Sequence, residues 1–182
     1  MIGFFFNNRH SREFWLAMEN AHRPLLPPLR RNDYEITGRH GTVDFGGETY
    51  GTKQISVEIC FVSDNVRNLQ TLSREIAFWL GGGNKGILWF DDEPDKAYDA
   101  VVYEAVDTDQ IIRTKRASVI FECQPFAKSI HFLQSVHNGV SSGHVMNIFS
   151  NGTVQTPARI IISNTGAINT NNIVIKRRAL NR

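Results

Sequence analysis

The chain is poor in the features that announce chemistry. Only Cys60 and Cys123 among its 182 residues are cysteine, too few for a disulfide framework. Each lies in an apolar stretch, Val57-Glu58-Ile59-Cys60-Phe61 and Val119-Ile120-Phe121-Glu122-Cys123, where a thiol behaves as a small apolar group. Both stretches suit neighbouring strands, so the sequence leaves open whether the two pair. The six histidines, at positions 10, 22, 40, 131, 137 and 144, are scattered, and none stands at zinc-site spacing from a cysteine. Charge nearly cancels, 20 Lys and Arg against 18 Asp and Glu for a formal +2, which falls short of the basic excess that phosphate backbones require. Lys176-Arg177-Arg178 with Arg182 reads as a solvated end. No stretch approaches the roughly 18 apolar residues that span a membrane. Met1 to Asn8 also lacks the basic start, apolar run and cleavage site of a secretory signal. Synthesis as a soluble cytoplasmic product is the expectation.

Catalytic motifs are equally scarce. Gly81-Gly82-Gly83-Asn84-Lys85-Gly86 offers glycines and a lysine, but it follows a helix pattern and precedes a strand pattern, the reverse of a phosphate-cradling loop. Asp91-Asp92-Glu93-Pro94-Asp95 could suggest calcium or paired carboxylates. It lacks the alternating oxygens and distal glutamate of a calcium hand, and reads as a strand-to-strand turn whose carboxylates satisfy backbone N–H groups. No nucleophile-elbow motif frames Ser141, Ser142 or any other serine near His144. We therefore expect no enzyme activity, no cofactor and no metal.

What is present is short alternation. Strands are predicted around Gly3 to Phe6, Glu13 to Met18, Tyr34 to Ile36, Lys53 to Val62, Gly86 to Phe90, Tyr98 to Val106 and Ala117 to Gln124. Gly38-Arg39-His40-Gly41 and Phe45-Gly46-Gly47 fit hairpin loops. One segment keeps a different period: Val66, Leu69, Leu72, Ile76, Trp79 and Leu80 recur in steps of three and four, predicting a helix over residues 65–80 with Asp64 as N-cap, Gly81 as stop and Arg67, Gln70 and Arg74 on its outer side. The prolines number six, half of them within Arg23-Pro24-Leu25-Leu26-Pro27-Pro28-Leu29-Arg30-Arg31. Such a stretch cannot sit mid-sheet and reads as an extended connector. The fold class is thus mainly β, a sheet or sandwich with one packed helix.

Beyond Gln124-Pro125-Phe126 serine, asparagine, glycine and threonine become frequent, placing a boundary between residues 1–128 and 129–182. The second region reads as all-β, with strands at Arg159 to Ser163 and Asn172 to Lys176, yet has too few strands to close an ordinary sandwich. Either it is incomplete or it completes itself against another chain.

Four segments together carry a resemblance: Gly3-Phe4-Phe5-Phe6-Asn7-Asn8-Arg9-His10-Ser11, Gly38-Arg39-His40-Gly41-Thr42-Val43-Asp44-Phe45, Leu88-Trp89-Phe90-Asp91-Asp92-Glu93-Pro94-Asp95-Lys96-Ala97-Tyr98, and Phe121-Glu122-Cys123-Gln124-Pro125-Phe126. In this order and spacing they resemble the N-terminal region of distal tail proteins of long-tailed phages that infect Gram-positive bacteria. The resemblance covers the first two thirds of the chain. It implies a β domain with one helix whose copies assemble as a ring, usually a hexamer, at the virion's tail tip. The implied partners are the major tail tube protein above the ring and the receptor-binding baseplate proteins below it. It further implies that residues 129–182 begin a galectin-like or carbohydrate-module-like sandwich. Because a ring needs head-to-tail patches, clustered Phe4, Phe5 and Phe6 become candidate subunit contacts, although alternation turns at least one of them to the core. A stand-alone carbohydrate-binding or cell-wall-binding module is the alternative. Its sugar-stacking surface would be thin, since only Phe132 and Phe149 are aromatic in the second region, so any glycan contact is expected to be weak.

Overall fold

The computed structural model describes residues 2–62, 66–81, 83, 85–104, 114–131, 133–140, 143–148, 152–154, 156–157, 159–166, 168 and 173–176. In chain order the elements are β1 (Phe4–Phe6), β2 (Arg9–His10), a 3-10 turn (Ser11–Phe14), β3 (Leu16–His22), β4 (Leu29–Arg30), β5 (Asp33–Glu35), β6 (Thr42–Asp44) and β7 (Thr49–Tyr50). There follow β8 (Lys53–Phe61), α1 (Val66–Leu80), β9 (Gly86–Phe90), β10 (Glu93–Glu104), β11 (Arg116–Cys123) and β12 (Lys128–Ser129). The mainly β expectation holds. The residues fall into two units, Met1–Phe132 and Leu133–Arg182.

Period-two alternation builds the first unit. Along β8 every second residue from Lys53 to Phe61 is buried, while Gln54, Ser56, Glu58 and Cys60 face the other way. The same alternation buries Phe4 and Phe6 on β1, Leu88 and Phe90 on β9, and Val119, Phe121 and Cys123 on β11. These strands form one antiparallel sheet in the order β2-β1-β9-β10-β11-β8-β3, with β12 on β10. The sheet curls, since the Met18 N–H on β3 reaches the Ile2 carbonyl at 3.0 Å, and its inner side becomes the core. The helix closes that core: Ile76, Trp79 and Leu80 are buried and Leu72 packs against them. Trp79 stacks on Phe14 (4.4 Å) and Phe4 (5.7 Å) and donates its Nε1–H to the Phe6 carbonyl (2.8 Å). Burying such large side chains is worth about 1.5–3 kcal/mol each, so this inner face dominates the domain's stability.

Local signals explain where the sequence reading shifts. The strand expected from Glu13 to Met18 is instead the 3-10 turn followed by β3. A capping box forces that turn: the Arg12 N–H donates to His10 Nδ1 (2.9 Å), the His10 N–H donates to Glu13 Oε1 (3.0 Å), and Trp15 leaves in the left-handed region at φ 55°. β10 starts at Glu93, ahead of the expected Tyr98, because a register shift between Glu93 and Ala97 accommodates Pro94. The expected N-cap Asp64 lies outside the described residues. Both cysteines are free. Cys123 faces inward opposite Lys53, whereas Cys60 faces outward at the other end of the same ladder, opposite Arg116, a separation no disulfide spans.

In the second unit the described residues form no strand. The strands expected at Arg159 to Ser163 and Asn172 to Lys176 are absent from the described part of those stretches. Their apolar residues, Ile160, Ile161 and Ile162, then Ile173, Val174 and Ile175, are exposed. A strand exists by its ladder partner, and among the described residues these runs have none.

Candidate assembly surfaces

Between His22 and Lys53 the chain leaves the sheet as an arm. β4 pairs with β7, Leu29 opposite Tyr50, and β5 pairs with β6, Tyr34 opposite Val43. Neither pair hydrogen-bonds to the main sheet. The tip turns on the Arg39 N–H to Ile36 carbonyl bond (3.0 Å), with Gly38 and Gly41 at φ 83° and 82°, values that favour glycine. The Phe45 N–H reaches the Asn32 carbonyl (3.1 Å) and ties the two ladders into one ribbon. Phe45-Gly46-Gly47, expected as a hairpin loop, is instead an irregularity inside the returning strand, held by the Gly46 N–H on Asp44 Oδ1 (2.7 Å).

This ribbon is amphipathic. Tyr34 and Val43 share one face, where the Tyr34 and Phe45 rings meet edge to face at 6.5 Å. Asp33 stands directly opposite Asp44 on the other, with Glu35 beside them. Tyr34 and Phe45 are 64% and 66% exposed, and Leu25 and Leu26 near the root are 93% and 74% exposed. An isolated two-stranded hairpin is marginal in water, and like charges directly opposite weaken it. Among the described residues of the first unit, this apolar face has no cover.

The three N-terminal phenylalanines divide. Phe4 and Phe6 are fully buried, Phe4 against Trp79, Phe90 and Phe121, so neither offers surface to a neighbour. Phe5 points outward and stacks flat on Trp89 (3.8 Å), with the His10 ring edge-on (4.2 Å). It lies beside exposed Ile87 on the next strand. Of the three, only Phe5 presents contact area. The sequence reading missed the arm as a surface, although the paired glycines and Tyr34 and Phe45 carried its signal.

The acidic turn is an internal tie. Asp91 accepts the Gly3 N–H (2.9 Å), a bond from His10 Nε2 (3.1 Å) and one from Arg12 Nη2 (2.9 Å). Burial pushes its carboxyl up, but the His10 and Gly3 bonds and the charges of His10 and Arg12 more than offset that and hold it below the usual carboxylate range. Among the described residues no group of three or more His, Cys, Asp or Glu side chains could hold a metal. His137 and His144 approach each other (3.3 Å), with no third His, Cys, Asp or Glu beside them among the described residues. Ser141 and Ser142 lie outside the described residues. No described helix is long and apolar enough to cross a membrane.

The first unit is thus a curled antiparallel sheet with a helix over its core and a projecting ribbon. The phage tail protein RIFT-related domain family matches residues 17–123, more than half of the chain, and the chain belongs to that family. It is a structural component of a phage tail. No curated protein matches the chain. Among solved structures it is similar to the Dit protein of phage SPP1, described as a paradigm of the hub adsorption apparatus in phages infecting Gram-positive hosts. The TM-score is 0.56 at 14% identity, over 68% of this chain and 50% of that one. At this identity the likeness speaks for the fold, and the chain spans about half of that protein's length.

Proposed function

We infer that the chain is the distal tail protein of a long-tailed phage with a Gram-positive host. Residues 1–128 form a ring of six copies between the major tail tube protein and the receptor-binding baseplate proteins, and residues 129–182 belong to a separate β-sandwich domain. The observation that carries this reading is the uncovered apolar face of the arm. A closed ring joins one patch of each copy to a different patch of the next. The arm supplies one such patch, with Phe5 and Trp89 on the outer face of the sheet a candidate for another. An exposed, organised apolar surface of this kind marks a protein contact. The family and the likeness to SPP1 Dit support the same reading.

Size-exclusion chromatography with light scattering, followed by negative-stain microscopy of the full chain, tests it. The expected result is a discrete multiple of the protomer and annular particles. A monomer at every concentration overturns it.

A further inference from the structure

The arm's direction has to be set where it joins the sheet, because β4–β7 and β5–β6 pair only with one another. The outgoing junction meets the Glu93 carboxylate directly and the returning one reaches it through Tyr98. At the outgoing junction, Arg23 pairs with Asp92 and reaches Glu93 Oε2 at 3.4 Å, its guanidinium 4.6 Å above the Phe90 ring. At the returning junction, Lys53 is buried with its ammonium 4.7 Å from the Tyr98 ring. Tyr98 in turn donates its hydroxyl to the same Glu93 Oε2 at 3.1 Å, while Lys96 donates to Oε1 at 2.6 Å. A second set of contacts flanks the first: Thr52 Oγ1 donates to Glu122 Oε1 (2.6 Å) and the Gly51 N–H to the Pro28 carbonyl (2.8 Å), the latter joining the two sides of the arm directly.

We propose that Arg23, Glu93 and Lys53 are positioning residues that clamp the arm at its root and hold it at the angle needed to engage the next copy. Stability alone does not explain them. Apolar side chains would close this end of the core as well, since ion pairs withdrawn from water often stabilise no more than packed hydrophobes. What charges add is direction. The planar guanidinium fork, held by carboxylates from two consecutive residues and by a ring face, fixes an orientation that a single contact would not. Burial pushes the Glu93 carboxyl up, but hydrogen bonds from Lys96 and Tyr98 and the charges of Lys96 and Arg23 bring it below its ordinary value, so the clamp is ionised at neutral pH. An arm held in one orientation loses less freedom on docking, and preorganisation strengthens association without adding contacts.

The assembly consequence rests on the ring reading above; the clamp itself does not. Nitroxide labels at Thr42→Cys on the arm and Glu58→Cys on the outer face of β8, in a Cys60→Ser background, report the arm-to-sheet distance by pulsed electron resonance. The full chain is used, diluted with unlabelled protein so that only distances within one copy are read. One narrow distribution is expected. Glu93→Gln should broaden it and raise the concentration needed for assembly about tenfold, which is the affinity equivalent of about 1.4 kcal/mol. Arg23→Lys keeps the charge, loses the fork and should do the same more mildly, with the circular dichroism of the sheet unchanged in both. Distributions as narrow as the parent's in both variants overturn the clamp. Broadening in a chain that never assembles supports the clamp while the ring reading fails.

Discussion

The sheet and the arm are written in the same local pattern and end in opposite conditions. On β8 and β11, Ile59 opposite Ala117 and Val57 opposite Val119 are shielded from water by the curl of the sheet and by α1. On the arm, Tyr34 opposite Val43 has the same alternation with no layer above it among the described residues of the first unit. The difference teaches that alternation specifies a face and leaves its cover unspecified. Where the cover is in the same chain the face becomes core, and where it is absent the face waits for another molecule. Stability should therefore be concentrated in the sheet and assembly in the arm, and substitutions in the two regions should separate cleanly.

The largest stability effect belongs to the core. Phe4→Ala removes a fully buried ring that touches Trp79, Phe90 and Phe121, so urea denaturation should report a loss of about 3–5 kcal/mol. Trp79→Phe comes next. It preserves most of the packing but removes the indole N–H that donates to the Phe6 carbonyl at 2.8 Å, and since that carbonyl keeps its ladder partner Arg9, a cost of about 0.5–1.5 kcal/mol is expected for the lost hydrogen bond. If either substitution leaves the denaturation midpoint unchanged, the sheet is not where the stability lies.

How much of this the sequence disclosed depends on range. The alternation at Lys53 to Phe61 and the three-four steps through Leu72, Ile76, Trp79 and Leu80 are local, and both elements stand where the pattern put them. The 3-10 turn at Ser11–Phe14 was hidden by a short alternation, although Glu13 three residues after His10 was a visible capping signal. Asp91 was legible as a turn residue. Its partner Gly3 lies 88 positions away, which no local pattern encodes. The arm was the least legible feature: glycines 38 and 41 mark its tip, but whether Tyr34 and Phe45 face their own core or a neighbour's is the same sequence either way. The apolar β-branched runs at 160–162 and 173–175 teach the converse, since strand-forming residues without a ladder form no strand among the described residues.

A smaller effect should depend on pH. Because the folded-state Asp91 carboxyl is held below its ordinary value, its contribution is fully present above the unfolded pKa of about 4 and is lost as pH falls through the depressed folded value. Asp91→Asn should lower stability at neutral pH and flatten its decline below about pH 5. Denaturation midpoints followed from pH 7 to 3 check this. Curves that run parallel for parent and variant would remove Asp91 from the tie between the β1 and β9 ends.

The smallest stability effect is the one that sharpens the comparison most. Tyr34→Ser with Phe45→Ser removes two rings that are already about two thirds exposed, so little buried area is lost on unfolding and the change should stay within about 0.5 kcal/mol. If the apolar face is a docking surface, the same pair should abolish the oligomer that light scattering is expected to show for the parent, because aromatic anchors carry a disproportionate share of interface energy. A phenylalanine at the core costs stability first and assembly only as a consequence; an aromatic on the arm should cost assembly alone. A double variant that melts early, or that still assembles at parental concentrations, would return the arm to the domain it projects from and leave the sheet to account for both properties.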